Sequence, residues 1–98
     1  MAILDSLNGL DFVAFVKLHR CSILGCNNNL IDADHLNTVG MGRNRKNPSL
    51  TEHFSCVPLC RAHHTERHTM PLEDFESKHG VNLWKDNHRL LILWLSET

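Results

Sequence analysis

Apolar residues open the chain at helical intervals. Within residues 9–19, GLDFVAFVKLH, the positions of Leu10, Val13 and Val16, with Ala14 and Leu18, predict a short amphipathic helix leading into Cys21. CSILGC follows as a tight turn bounded by two cysteines, with a glycine before the second. Ile31 to Leu36 reads as a strand with His35 near its end, and a loop runs on through Pro48. A second apolar run, His53 to Leu59, is expected to be cut short by Pro58, which has no amide hydrogen for a ladder. From Cys60 the pattern turns helical. Pro71 marks either the end of that helix or the first turn of the next, LEDFESKH, which Gly80 closes. Residues 83–95 form a last helix whose Leu83, Trp84, Leu91, Trp94 and Leu95 can cover the core.

Composition narrows the class. At 98 residues, 42% apolar and 21% charged, the chain is one ordinary globular domain, near the lower end of sizes at which a core alone stabilises a fold comfortably. A structural metal would help. Asp5 and Asp11 with no basic n-region argue against a secretory signal, and the apolar run from Leu90 to Leu95 is too short to span a bilayer. A soluble cytoplasmic protein is expected, and in a reducing compartment its four cysteines point to metal binding over disulfides. The net charge of −1 does not mark a nucleic-acid binder. Locally, GMGRNRKN gathers Arg43, Arg45 and Lys46 with no acid before Glu52, either a solvated surface loop or one that lies along phosphates.

The stretch CVPLCRAHHTERH, from Cys56 to His68, concentrates metal-binding side chains. Cys21 and Cys26 are separated by four residues, Cys60 and His63 by two, and both spacings let two side chains reach one tetrahedral ion from a turn. Three thiolates and an imidazole suit a closed structural zinc. Cys56 is left over, either a small core hydrophobe or a replacement for His63 as fourth ligand. His64 and His68 are four apart and share a helix face, while His63 points about 100° away. The segment therefore divides its ligands between two sites. Asp34, in IDADH, could complete the second with His64 and His68, leaving positions open as in a catalytic metal site. His35 faces the other way on the strand and is a candidate general base, with Asp32 a spare ligand on the Asp34 side.

A Cys pair, an Asp-His at a strand end, and a second strand running into Leu-Cys-x-x-His-His-x-x-x-His together resemble the HNH nucleases. More narrowly, DADHLNTVGMGRNRK and VPLCRAHHTERHTM are similar to small HNH nucleases of phages and prophages, often encoded beside recombination genes. The likeness spans about residues 11–80. It implies an α+β fold, a small zinc-stabilised ββα-metal (HNH) finger with core about 19–70 and flanking helices about 9–19 and 71–96, in a single domain over 1–98. It implies that His35 activates water, that Asp34, His64 and His68 hold a catalytic divalent ion, Mg²⁺ or Mn²⁺, and that Cys21, Cys26, Cys60 and His63 hold structural Zn²⁺.

Two departures stand out. The family commonly spaces its first cysteines by two residues, so one of Cys21 and Cys26 could be displaced from the zinc. Its middle Asn would fall near Ser55, where none stands, leaving His53, Asn44 or Asn47 to take its place. The implied activity is hydrolysis of DNA phosphodiester bonds, with Arg43, Arg45 and Lys46 on the backbone; the alternative is a zinc-stabilised nucleic-acid-binding module without catalysis. Double-strand cleavage would call for a homodimer or a recombination-protein partner, and the apolar RLLILWL helix could pack on another chain or in its own core.

Overall fold

A computed structural model describes residues 7–38 and 46–97. Helix α1 (Gly9–Val16) leads through the cysteine turn to strand β1 (Ile31–His35). A 3₁₀ turn (Thr51–Ser55) then feeds strand β2 (Cys56–Cys60), which passes directly into helix α2 (Arg61–Arg67). Helices α3 (Leu72–His79) and α4 (Leu83–Glu97) complete an α+β fold around a two-stranded antiparallel sheet.

Helix α1 starts where Asn8 can cap it, its side-chain oxygen accepting the N–H groups of Leu10 at 2.8 Å and Asp11 at 3.4 Å. It ends at Val16, three residues short of the expected His19. Phe12 and Val16 carry its buried stripe, while Leu18, beyond the last turn, is exposed.

The sheet pairs Ile31 with Cys60, Ala33 with Pro58 and His35 with Cys56. The second apolar run divides differently from expectation: His53 to Ser55 form a 3₁₀ turn, and the strand runs through Pro58 to Cys60. The ladder explains why. The Pro58 carbonyl accepts the Ser22 N–H at 2.8 Å, so the Pro58 edge faces away from β1 and its missing N–H removes no rung.

Pro71 stands before the first residue of α3, and Gly80 ends that helix at φ 65° in the left-handed conformation. On α4 the buried stripe is Leu83, Asn87, Leu90 and Trp94, spaced by four, three and four. Trp84 and Leu95, expected to cover the core, stay largely exposed, because they lie off that stripe.

Two apolar clusters flank the sheet. One joins Ile23, Val57, Leu59, Phe75 and Leu83 around the cysteine turn, and the other joins Phe12, Val16, Cys56, Leu90 and Trp94. Cys56 thus belongs to the core, packed away from the other thiols. Among the described residues no helix is long and apolar enough to cross a membrane.

Candidate metal centres and the cleft between them

Strand β2 ends in Cys60, whose sulfur caps α2 by accepting the His63 N–H at 3.4 Å. That cap turns the His63 ring back onto the cysteines, with Nδ1 3.2 Å from Cys60 Sγ and 3.5 Å from Cys21 Sγ. Cys26 joins them: one ligand atom from each of Cys21, Cys26, Cys60 and His63 lies within 4.8 Å of every other. Both early cysteines are present, so the wider spacing displaces neither. Gly25, at φ 80°, makes the turn that brings Cys26 round to Cys21.

The fit to zinc can be checked on these distances. A tetrahedral ion with Zn–S of about 2.3 Å and Zn–N of about 2.0 Å spaces sulfur and nitrogen by roughly 3.5 Å. The observed separations of 3.2 and 3.5 Å match, so these four residues fit the ion. Burial pushes the Cys21 thiol up to about 11, whereas a backbone hydrogen bond at Asn28 lowers that of Cys26. A cation would favour the thiolates of both and displace their protons.

One helical step on, α2 serves a second group. Asp34 is fully buried, and its Oδ1 lies 2.9 Å from His64 Nδ1 and 3.3 Å from His68 Nε2. Arg67, between the two histidines, grips the other side of the carboxylate: Nε donates to Oδ2 at 2.7 Å, and an Nη donates to Oδ1 and to the His35 carbonyl, each at 3.1 Å. His64 Nδ1 is buried yet makes no hydrogen bond, because the carboxylate oxygen at 2.9 Å is off the line of an N–H. A lone pair and a carboxylate oxygen turned toward common space suit a cation. An octahedral ion with ligands at about 2.1 Å sets adjacent donors about 3 Å apart. Asp34, His64 and His68 fit such an ion, and the half-exposed His68 leaves the group open to solvent where the cysteine site is enclosed.

His35 and His64 border one open cleft of about 460 Å³, whose other walls include Val13, Lys17, Asp32 and Arg61. Asp32 is no ligand here. It forms a two-pronged pair with Arg61, at 2.8 and 3.0 Å, which holds its carboxyl below the usual range. A larger cleft, about 770 Å³, lies over α3 and α4 and holds none of the expected ligands. His35 Nε2 sits 3.0 Å from Nδ1 of His53, which is buried in the 3₁₀ turn. Lys46 is exposed; Arg43, Arg45 and Asn44 lie outside the described residues.

Sequence reasoning missed Arg67 and Asn87. Arg67 stands three residues after His64, hence on the same helix face, and that spacing was a usable signal. Asn87, a polar residue on the α4 stripe, donates to the carbonyls of Phe54 and Cys56 at 2.8 and 2.9 Å and pins the turn into β2. A third cluster, His63, Glu66 and His79, lies beside the cysteine site. Its carboxylate is already engaged by Lys78 and by His79 at 2.7 Å, so it clasps α2 to α3.

Fold and site together define a ββα-metal finger of the HNH type, with a cysteine–histidine group that fits zinc. The family described as "Putative HNHc nuclease" matches residues 2–91, and the chain belongs to that HNH nuclease family. No curated protein and no solved structure matches the chain.

Proposed function

We propose that the protein is a metal-dependent endonuclease that hydrolyses DNA phosphodiester bonds, with His35 as general base. One observation carries this reading: Asp34, His64 and His68 converge on a common point, and His35 borders the same cleft as His64. His35 takes a proton from water, and the resulting hydroxide attacks phosphorus opposite the 3′-oxygen, which departs. The products carry 5′-phosphate and 3′-hydroxyl ends. Asp34, His64 and His68 would hold the divalent ion, which when bound supplies Lewis-acid stabilisation of charge on the phosphate and the departing oxygen. Arg67 grips Asp34 at Oδ2 and leaves its Oδ1 turned to the imidazoles. Cys21, Cys26, Cys60 and His63 hold zinc and fix α2 against the sheet.

Lys17 and Arg61 on the cleft wall, together with Arg43, Arg45 and Lys46, contact backbone phosphates, so binding weakens steeply with salt and shows little sequence preference. The test is nicking of supercoiled plasmid. A chain carrying one zinc should gain activity when Mg²⁺ or Mn²⁺ is added, and His35→Ala should lose about 100-fold or more with both metals still bound. Nicking by that variant at the parental rate removes His35 as base. A parent chain that binds DNA but never cuts is a zinc-stabilised binding module.

A further inference from the structure

Beside the cleft that His35 and His64 border lies a second hollow, of about 300 Å³, between the end of α1 and the cysteine turn. Lys17, His19 and Arg20 line it from the helix side, and Asn27, Asn28 and Asn29 from the turn. Lys17 lines both spaces, and β1 passes from the hollow at Ile31 to the cleft at Asp32. The two are therefore contiguous.

Charge sets this hollow apart. Arg61, Arg67, Lys78 and Arg89 each face a carboxylate. Among the described residues the side chains of Lys17 and Arg20 pair with none, and no acid lines the hollow. On the cleft side Asp32 is already taken by the Arg61 fork. A helix C-terminus favours cations, which would account for one basic residue after Val16. His19 answers that need, its Nδ1 lying 2.9 Å from the Phe15 carbonyl, which can only accept. Arg20 has no such partner. Neighbouring uncompensated cations repel, and a bound anion would relieve them.

The facing wall supplies neutral donors. Asn28 commits its side-chain oxygen to the Leu30 N–H at 3.0 Å, so the polar group it has left is the amide NH2. Its backbone N–H hydrogen-bonds the Cys26 sulfur, which ties this wall to the cysteine group. Cations on one side and an amide donor on the other suit an oxyanion. Continuity with the cleft makes that oxyanion a second phosphate of the chain being cut.

We propose that the hollow is a subsite for a DNA backbone phosphate flanking the one in the cleft, with Lys17 and Arg20 as its cations and Asn28 as its neutral donor. The proposal rests on the DNA-cleaving reading above and deepens it. The cysteine turn then shapes the path of the substrate as well as the fold.

The first test is the salt dependence of binding, by fluorescence anisotropy of a labelled duplex with the full zinc-loaded chain and no Mg²⁺ or Mn²⁺. Arg20→Gln should lower the slope of log affinity against log salt by about 0.9, and Lys17→Gln with Arg20→Gln by about twice that. Lys85→Gln removes the same charge from α4 and should leave the slope unchanged. The second test is a nick map, with Mg²⁺ or Mn²⁺ added, on a duplex carrying one neutral methylphosphonate. The parent should spare the bond at the neutral phosphate and, by about 5-fold, one further bond at a fixed offset to one side. Arg20→Gln should cut that further bond like its neighbours.

The side chain of Arg20 is exposed, so the variant should keep the parent's zinc content and melting temperature. An unaltered slope in Arg20→Gln overturns the proposal, as does an equal drop in Lys85→Gln or a nick map that is the same in parent and Arg20→Gln. A parent that nicks plasmid while Arg20→Gln keeps its slope sinks the subsite alone. A parent that never nicks but shows the expected slopes sinks the nuclease reading and leaves the phosphate subsite in a binding module.

Discussion

His63 and His64 are neighbours in sequence, yet their rings join two different candidate metal groups. The cysteine side of α2 closes four donors from two separate segments around one point, with Cys21 and Cys60 buried. The other side offers three donors, one of them the half-exposed His68, and turns toward a cleft. Metal-ligand residue types do not by themselves tell the two groups apart. Donor count and exposure do: a filled tetrahedron has no place for substrate, whereas a carboxylate and two imidazoles at an open edge do.

The largest expected effect breaks the closed half. In Cys60→Ser the hydroxyl can still cap α2 by accepting the His63 N–H, so the variant isolates loss of the thiolate. Zinc content by elemental analysis should fall from about one per chain to near zero, and the cooperative thermal transition should disappear. Structural zinc contributes on the order of 10 kcal/mol in apparent terms, comparable with the whole stability of a small domain. A Cys60→Ser chain that melts like the parent would show that the apolar cluster of Val57, Leu59, Phe75 and Leu83 suffices alone.

A smaller change should break only the open half. Arg67→Lys keeps a positive charge but loses the fork that spans both Asp34 oxygens and the His35 carbonyl. Affinity for Mn²⁺, measured by titration calorimetry on the zinc-loaded chain, should fall about 10- to 100-fold with zinc content unchanged. Arg67→Met goes further, leaving the fully buried Asp34 without its cation, and should cost about 3–5 kcal/mol in denaturant unfolding. If Arg67→Lys loses zinc and Mn²⁺ together, the two faces of α2 are not separable.

The two halves also differed in how far the sequence revealed them. The membership of the two side-chain clusters was legible because each spacing maps onto one known local geometry: a helix for His64 and His68, a turn at a helix start for Cys60 and His63. The strand for Asp34 was legible too. What orients those ligands was harder to read, since it depends on register and on contacts distant in sequence. Arg67 finds Asp34 across 33 positions, Asn87 reaches back to Cys56 across 31, and His53 meets His35 from the opposite side of a loop. The end of the strand at Pro58 was misjudged for the same reason: whether a missing N–H matters depends on which edge faces the partner, and only the pairing fixes that.

The slightest effect concerns the thiol that belongs to neither site. Cys56 is fully buried against Phe12 and Trp94, and its thiol is pushed from the ordinary 9.0 up to about 12, chiefly by burial and then by the charge of Asp34. Because the folded value lies above the unfolded one, this group's contribution is fully present below pH 9 and is lost as the pH climbs toward 12. Cys56→Ala should therefore cost about 1 kcal/mol near neutral pH, and the gap between variant and parent should narrow over that alkaline window in denaturant titrations. In a zinc-loaded sample treated with iodoacetamide near pH 8.5, Cys26, which is only part-buried, should be modified first. Cys56 should react last, at the rate of global unfolding. Alkylation of Cys56 in step with Cys26 would mean that the second core opens as readily as the zinc turn, and the division of the molecule into two separately anchored halves would not hold.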